Sequence, residues 1–366
     1  MISFYLVWVV CYFVLLRLLA QKWPENQVVR ANEEMRLTVT LLIPFRNERG
    51  NAPTLIEEIQ KIKEPDLEII LIDDQSEDDS FLFLAEKLKH DGKVKVLRSP
   101  GIGKKAALEF GVENAQGELI VCSDADCRFP KDWIQQMCVP FMQPEVQLVA
   151  GPVISLEGRT FFQRFQQIEW SSILLLTQFF FVKKRPLMCS GANLAYRKSA
   201  FLQVGGFDQN RQFLSGDDEF LLKKIVGKFG ASSCVYLSFR SVLVRTAPQS
   251  DLFSLLNQRI RWSGKWNAHR DLTHLVSALL SFLVQVGWIM SVALLPLGGV
   301  GVLVFLLVWS GKIRAEKRAL GKVLANFDCK CSSLDFIKTG FLHPFYVCAV
   351  AFGSLRGNFT WKGRAN

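Results

Sequence analysis

Leu119-Ile-Val-Cys-Ser-Asp-Ala-Asp126 decides how the rest of this chain is read. A short run of apolar residues stops abruptly at two carboxylates, one residue apart. An apolar run of that length reads as a strand buried on both faces. Asp124 and Asp126 then stand just past its carboxyl end, where open α/β sheets keep their ligand crevice. Upstream, Thr38 to Ile43, Leu67 to Ile72 and Val94 to Leu97 read as further strands. Between them, Thr54 to Ile62, Asp79 to Leu88 and Lys105 to Ala115 read as helices. Ser76-Glu-Asp-Asp79 has the pattern of a capping box opening the second of these. Strands alternating with helices predict an α/β fold: a mixed, mostly parallel sheet covered on both faces.

Two more acidic clusters share the placement of Asp124 and Asp126. Ile70-Leu-Ile-Asp73-Asp74-Gln-Ser76 again ends a strand in carboxylates, which can accept hydrogen bonds from a base or ribose. Ser215-Gly-Asp217-Asp218-Glu219 reads as a helix start, where acids favour the helix dipole. A carboxylate there also suits a general base that takes the proton of an attacking hydroxyl. The Asp-x-Asp pair offers hard oxygen ligands to Mg²⁺ or Mn²⁺, ions that bridge carboxylates to phosphates. Each cluster alone is compatible with a solvated surface patch. Gly101-Ile-Gly-Lys104-Lys105 lacks Walker A spacing. It places Lys104 either beside a diphosphate or base edge or on a plain surface loop. In Gln258-Arg-Ile-Arg261-Trp262, Arg261 matches a phosphate in charge and geometry, and Trp262 suits either a sugar face or a membrane-proximal core.

The chain ends are apolar. Ile2 to Ala20 is broken only by Arg17 and reads as an uncleaved anchor, since its start has no basic residue. Leu272 to Leu295 and Leu297 to Trp309 read as a membrane hairpin. The basic run Lys312 to Arg318, with Lys322, reads as a cytoplasmic loop. Phe336 to Leu355, interrupted by Lys338, His343 and Pro344, is compatible with a span, a re-entrant segment or an interfacial one, and the basic tail after it favours the last two slightly. The expected organisation is an anchor over 1–21, a soluble domain over 22–271, a hairpin over 272–310, a basic loop over 311–333 and a membrane-associated end over 334–366. The net charge of +10 follows from these flanking cations, and no nucleic-acid-binding motif accompanies it. Nine cysteines without paired spacing argue against a disulfide frame or a zinc site and for free thiols.

Taken in order, these motifs resemble the family 2 glycosyltransferases with their GT-A nucleotide-sugar fold, a Rossmann-like domain, from about Thr38 to Trp262. Ile43-Pro-Phe-Arg-Asn-Glu48 resembles the first-strand motif, which implies that Pro44, Arg46 and Glu48 line the nucleotide pocket. Asp73 and Asp74 match the element that contacts base and ribose. Asp124 and Asp126 match the metal-binding pair, with Asp124 also at the nucleotide. Gly191-Ala-Asn-Leu-Ala-Tyr-Arg197 with Gly205-Gly206-Phe207 is similar to the acceptor-side stretch. Asp217 and Asp218 stand where the family carries Glu-Asp, so the base role passes to Asp218. Gln258, Arg261 and Trp262 match Q-x-x-R-W. The resemblance implies inverting, metal-dependent transfer of a hexose, with UDP as the family's usual carrier, to a membrane lipid. It also implies an integral protein of a bacterial inner membrane with its catalytic domain in the cytoplasm. A processive polysaccharide synthase, and a membrane-tethered nucleotide-binding protein without catalysis, are the alternatives.

Overall fold

The computed structural model describes residues 1–24, 37–64, 66–208, 210–211, 213, 215–264, 272–356, 360–361 and 364–365. The boundary drawn at Asp271, and Lys362 and Gly363 of the tail, lie outside them. In chain order the elements are α1 (Ile2–Gln21), β1 (Val39–Phe45), α2 (Ala52–Lys61), β2 (Leu67–Asp73), α3 (Ser80–Leu88), β3 (Val94–Arg98) and α4 (Lys104–Asn114). Then come β4 (Leu119–Cys122), β5 (Cys127–Arg128), α5 (Trp133–Cys138), β6 (Leu148–Ala150), β7 (Val153–Ser155), α6 (Phe161–Val182), β8 (Leu194–Arg197), α7 (Lys198–Gln203) and α8 (Asp217–Phe229). The chain closes with β9 (Cys234–Tyr236), β10 (Val244–Thr246), α9 (Leu252–Ser263), α10 (Leu272–Met290), α11 (Gly298–Asn326), α12 (Ser333–Arg356), β11 (Thr360–Trp361) and β12 (Arg364–Ala365).

The molecule divides into two compact units. One comprises residues 26–156 and 180–247 and holds the main sheet. Its seven strands run β3-β2-β1-β4-β8-β6-β9. β3, β2, β1 and β4 are mutually parallel, and β8 is antiparallel to both β4 and β6. The predicted mixed, mostly parallel sheet is therefore what forms. Every residue of β1 and β4 is buried, the expected result for parallel strands covered on two faces. Pro44 is tolerated in β1 because β4 runs alongside only as far as Leu42, which leaves β2 as the one strand beside Pro44. Phe45 pairs with Asp73, so β1 and β2 end level and deliver their loops to the same edge. A second sheet, β5-β10-β7, brings β10 beside the segment that follows Asp126.

The other unit comprises residues 1–25, 157–179 and 248–366. The linear reading kept 157–179 and 248–263 with the soluble block. The structure groups them with the terminal helices, because Glu169 on α6 and Arg259 on α9 bury their charges against each other and against Tyr346 of α12. Three stretches are long and apolar enough to cross a membrane: Ile2–Gln21, Leu275–Asn326 and Ser333–Arg356. Val7, Val10, Leu280 and Leu303 among others stay exposed on them, as lipid-facing side chains would.

Two expectations are corrected, and one open segment takes a definite secondary structure. The basic run from Lys312 is not a loop but the continuation of α11. Lys312 stays helical and fully buried because its Nζ bonds Glu316 Oε1 one turn on, at 2.6 Å, and the Gly340 carbonyl of α12 at 2.9 Å. The last apolar run, left open in the sequence, is one unbroken 24-residue helix through Pro344, long and apolar enough to cross a membrane. The capping box at Ser76 does not form. Ser76 Oγ instead accepts the Asn47 amide at 3.0 Å, and Asp79 caps α3 without a side-chain bond.

Candidate active site

The loops after β1 and β2 are tied together before any ligand is considered. Asp73, fully buried, accepts from the Ser76 amide and from Arg98 Nε at 2.8 Å. Asp74, 1% exposed, accepts the Gly103 amide at 2.7 Å. Arg46 donates to the carbonyls of Asp74 and Gln75 and to Glu77. Glu48 receives Asn51 Nδ2 at 2.6 Å, and its amide donates to Ser80 Oγ. Arg46, Glu48, Asp73 and Asp74 thus tie the loops together at the strand ends, with Pro44 in β1 just before them. Their charges are offset locally, so the loops can hold a fixed shape.

The central feature is Lys104, the first residue of α4. Its Nζ lies 2.7 Å from Asp124 Oδ1 and 3.2 Å from Asp217 Oδ2. One lysine therefore brings the second acidic cluster to the third, 93 residues apart. Burial works against the Lys104 charge, but Asp124 and Asp217 outweigh it and raise its pKa well above the usual lysine value. Asp218 Oδ2 accepts the Gly191 amide at 2.8 Å. A Cβ on Gly191 would stand 2.8 Å from Asp217 Oδ2 and 3.4 Å from Lys104 Nζ, so the acceptor-side stretch closes on the same point. Asp217 and Glu219 are buried while Asp218 is half-buried, which singles out Asp218 as the accessible carboxylate of the three. Gly216, at φ 86° before the helix, lets the chain turn sharply enough to present it.

Asp126 Oδ2 accepts from Thr246 Oγ1 of β10 at 2.9 Å. Thr246 escaped the sequence reading, and Asn193 entered it only as one residue of the acceptor-side stretch. Asn193, fully buried, donates to the carbonyls of Pro152 and Val242 and accepts Trp133 Nε1 at 2.9 Å. It locks the Gly191 stretch to three other segments. A Cβ on Gly151 would meet Asn193 Nδ2 at 2.3 Å. Gly151→Ala is expected to cost about 1–3 kcal/mol through this overlap, read as a lower unfolding midpoint. An unchanged midpoint would mean that Asn193 can step aside.

The donor set suits a divalent cation. Asp124 and Asp126 are hard oxygen ligands, and among the described residues no group of three or more His, Cys, Asp or Glu side chains converges on one point. Mg²⁺ and Mn²⁺ are commonly held by one or two carboxylates, with substrate phosphates completing the shell. The neighbouring cysteines do not compete as thiolates: burial pushes Cys122 up to about 12 and Cys127 well above its ordinary value.

Gln258, Arg261 and Trp262 lie on α9, in the helical unit. Between them, Arg259, passed over in the sequence, carries the structure. Its guanidinium makes a two-pronged ion pair with Glu169, at 2.9 and 2.7 Å. It also donates to Gln258 Oε1 and sits 4.2 Å over the Trp262 ring. Trp262 in turn packs edge-on against Trp170. Burial opposes the charge of Arg259, and Glu169 more than offsets it, so its pKa is raised.

A parallel sheet ending in an Asp-x-Asp pair, flanked by antiparallel strands, is the GT-A arrangement of nucleotide-sugar enzymes. The same fold appears in the mannosyltransferase PcManGT of Pyrobaculum calidifontis, solved with GDP-Man and Mn²⁺. The likeness has a TM-score of 0.58 at 18% identity and covers 97% of this chain and 98% of that one. Residues 40–205 match the model of Glycosyl transferase family 2. An undecaprenyl-phosphate 4-deoxy-4-formamido-L-arabinose transferase of Aeromonas hydrophila is 32% identical over 31% of this chain and 36% of its own length. A beta-monoglucosyldiacylglycerol synthase of Trichormus variabilis is 25% identical over 65% of this chain and 51% of its own. The matches thus span about half the length of these curated relatives, or less.

Proposed function

We propose that this protein transfers one sugar from a nucleotide-sugar, with UDP-hexose the first donor to test, to the hydroxyl of a membrane lipid, with inversion. The observation that carries the proposal is Lys104 drawing Asp124 and Asp217 together beside Gly191 and Asp218. Asp124 as a phosphate-side ligand near Asp218 as an accessible carboxylate is the pairing that this reading needs. The helices long enough to cross a membrane, and the lipid-directed names of the relatives, support a lipid acceptor.

In the proposed reaction Asp218 takes the proton of the acceptor hydroxyl. The oxygen attacks C1 of the sugar from the face opposite the diphosphate. The new C1–O bond forms as the old one breaks, and the nucleoside diphosphate leaves with its electron pair. Asp73 and Asp74 hold base and ribose, with Pro44, Arg46 and Glu48 shaping that pocket. Gln258, Arg261 and Trp262 belong to the donor side, Arg261 meeting phosphate oxygens. Asp124 and Asp126 would hold Mg²⁺ or Mn²⁺, which neutralises charge on the departing diphosphate. We place the active site on the cytoplasmic side of a bacterial inner membrane, where nucleotide-sugars are made.

The test is transfer from radiolabelled UDP- and GDP-sugars by the full chain in lipid nanodiscs, with and without EDTA. A lipid carrying one sugar, lost with EDTA and restored by Mn²⁺, is expected. A long polymer would favour a processive synthase. Nucleotide binding without transfer to any lipid would leave only a tethered binding protein.

A further inference from the structure

The helical unit contains a cavity of about 690 Å³ whose chemistry differs from that of the aspartate cluster. Five cations line it: Arg164 from α6, Lys317, Arg318 and Lys322 from α11, and Lys330 from the turn before α12. Its described lining contains no acidic side chain. The apolar part of its wall is Leu324, Ala325 and Phe336. The volume lies in the range of small-ligand sites.

The cations are only partly spoken for. Asp335 takes one oxygen contact from Arg164 Nη1 at 3.5 Å and is itself held by the amide and hydroxyl of Ser332 at 2.7 Å. Arg164 Nε is buried without a hydrogen-bond partner. Lys317 reaches Ser333 Oγ at 2.7 Å, a neutral partner. Lys322 donates to the Trp23 carbonyl at 3.1 Å, just past the end of α1. An unsatisfied buried guanidinium N–H is costly and is met best by an anionic oxygen.

The position along the helices says where such an oxygen would come from. α11 is apolar from Gly298 to Gly311, and its pocket cations begin at Lys317, about 9 Å further on at 1.5 Å per residue. Lys322 meets the chain beside the carboxyl end of α1, another stretch long enough to span. The cavity thus sits at the polar ends of apolar helices, the depth of lipid phosphates.

We propose that this cavity is a binding site for the phosphate headgroup of an anionic phospholipid. The arginine and lysines take the phosphate oxygens, and Phe336 and Leu324 take the start of the acyl chains. The proposal concerns lipid binding by this cavity, and its test reads binding rather than sugar transfer.

The experiment is native mass spectrometry of the full chain released from micelles that contain equal amounts of phosphatidylglycerol and phosphatidylcholine. One phosphatidylglycerol per chain is expected to be retained over phosphatidylcholine. Removing a cation near a lipid phosphate weakens binding roughly fivefold, so K317Q/R318Q/K330Q is expected to lower retention about 100-fold. Should that variant fail to fold, K330Q alone, at an exposed position, is expected to lose about fivefold. Equal retention of phosphatidylcholine, or undiminished retention by the variants, would overturn the proposal. Displacement of the lipid by millimolar inorganic phosphate would assign the cavity to a free anion and overturn the lipid reading.

Discussion

Asp218→Asn is expected to lower the turnover of sugar transfer by about 10²- to 10⁴-fold, the usual worth of a positioned general base. Asparagine keeps the shape of the side chain and one oxygen to accept the Gly191 amide, the bond Asp218 makes at 2.8 Å. The Glu219 amide, 2.7 Å from the other oxygen, loses its acceptor, a local cost of about 1–3 kcal/mol, while donor binding, which the proposal gives to other residues, should stay within a few-fold. What is lost is the capacity to take a proton. Asp217 cannot substitute, because it is buried and engaged with Lys104 at 3.2 Å. The measurement is single-turnover transfer in nanodiscs, with nucleotide affinity measured separately. If the asparagine enzyme turns over within threefold of the parent, Asp218 is not the base and Glu219 becomes the residue to examine.

Arg259→Met is expected to have the largest effect on stability, about 3–5 kcal/mol, because it strands a buried carboxylate. Glu169 and Arg259 have side chains only 7% and 5% exposed. Without Arg259, Glu169 keeps only the hydroxyl of Tyr346, at 2.8 Å. The double variant E169M/R259M removes both charges and is expected to regain most of the loss. Tryptophan fluorescence reports the unfolding directly, since Trp262 and Trp170 flank the guanidinium. An R259M protein as stable as the parent would show that water or rearrangement satisfies Glu169.

The sheet was legible because its strands are apolar runs ended by acids. Leu119 to Cys122 matches β4 residue for residue, and β1 to β3 differ from expectation by one or two residues at their ends. The pairing of those acids was not legible. Lys104 stands 20 residues from Asp124 and 113 from Asp217, and no local pattern announces that one ammonium serves both. Thr246 and Asn193 are plain polar residues whose importance comes from β10 and β8 lying beside distant strands. Arg259 was hidden as the variable position of a motif, and its partner lies 90 residues upstream. The basic stretch of α11 misled because hydropathy counts a charge without its partner: Lys312 is fully buried only because Glu316 and Gly340 meet it. At Ser76 the capping pattern was present, but the serine hydroxyl was taken by the neighbouring loop.

Glu316 also receives the hydroxyl of Tyr12, at 2.9 Å and 304 residues away. That bond joins α1 to α11, and Lys312, which also holds Glu316, fastens Gly340 of α12 to the same point. During synthesis α1 must wait through the whole of the sheet unit before its polar partner exists. The helical unit therefore cannot close one helix at a time: it reaches its final arrangement only once the carboxyl-terminal helices have been made. Contacts so distant in sequence are slow to find. A chain cut short before Glu316 would keep its sheet and its aspartates, yet leave Tyr12 without the carboxylate it meets in the finished protein.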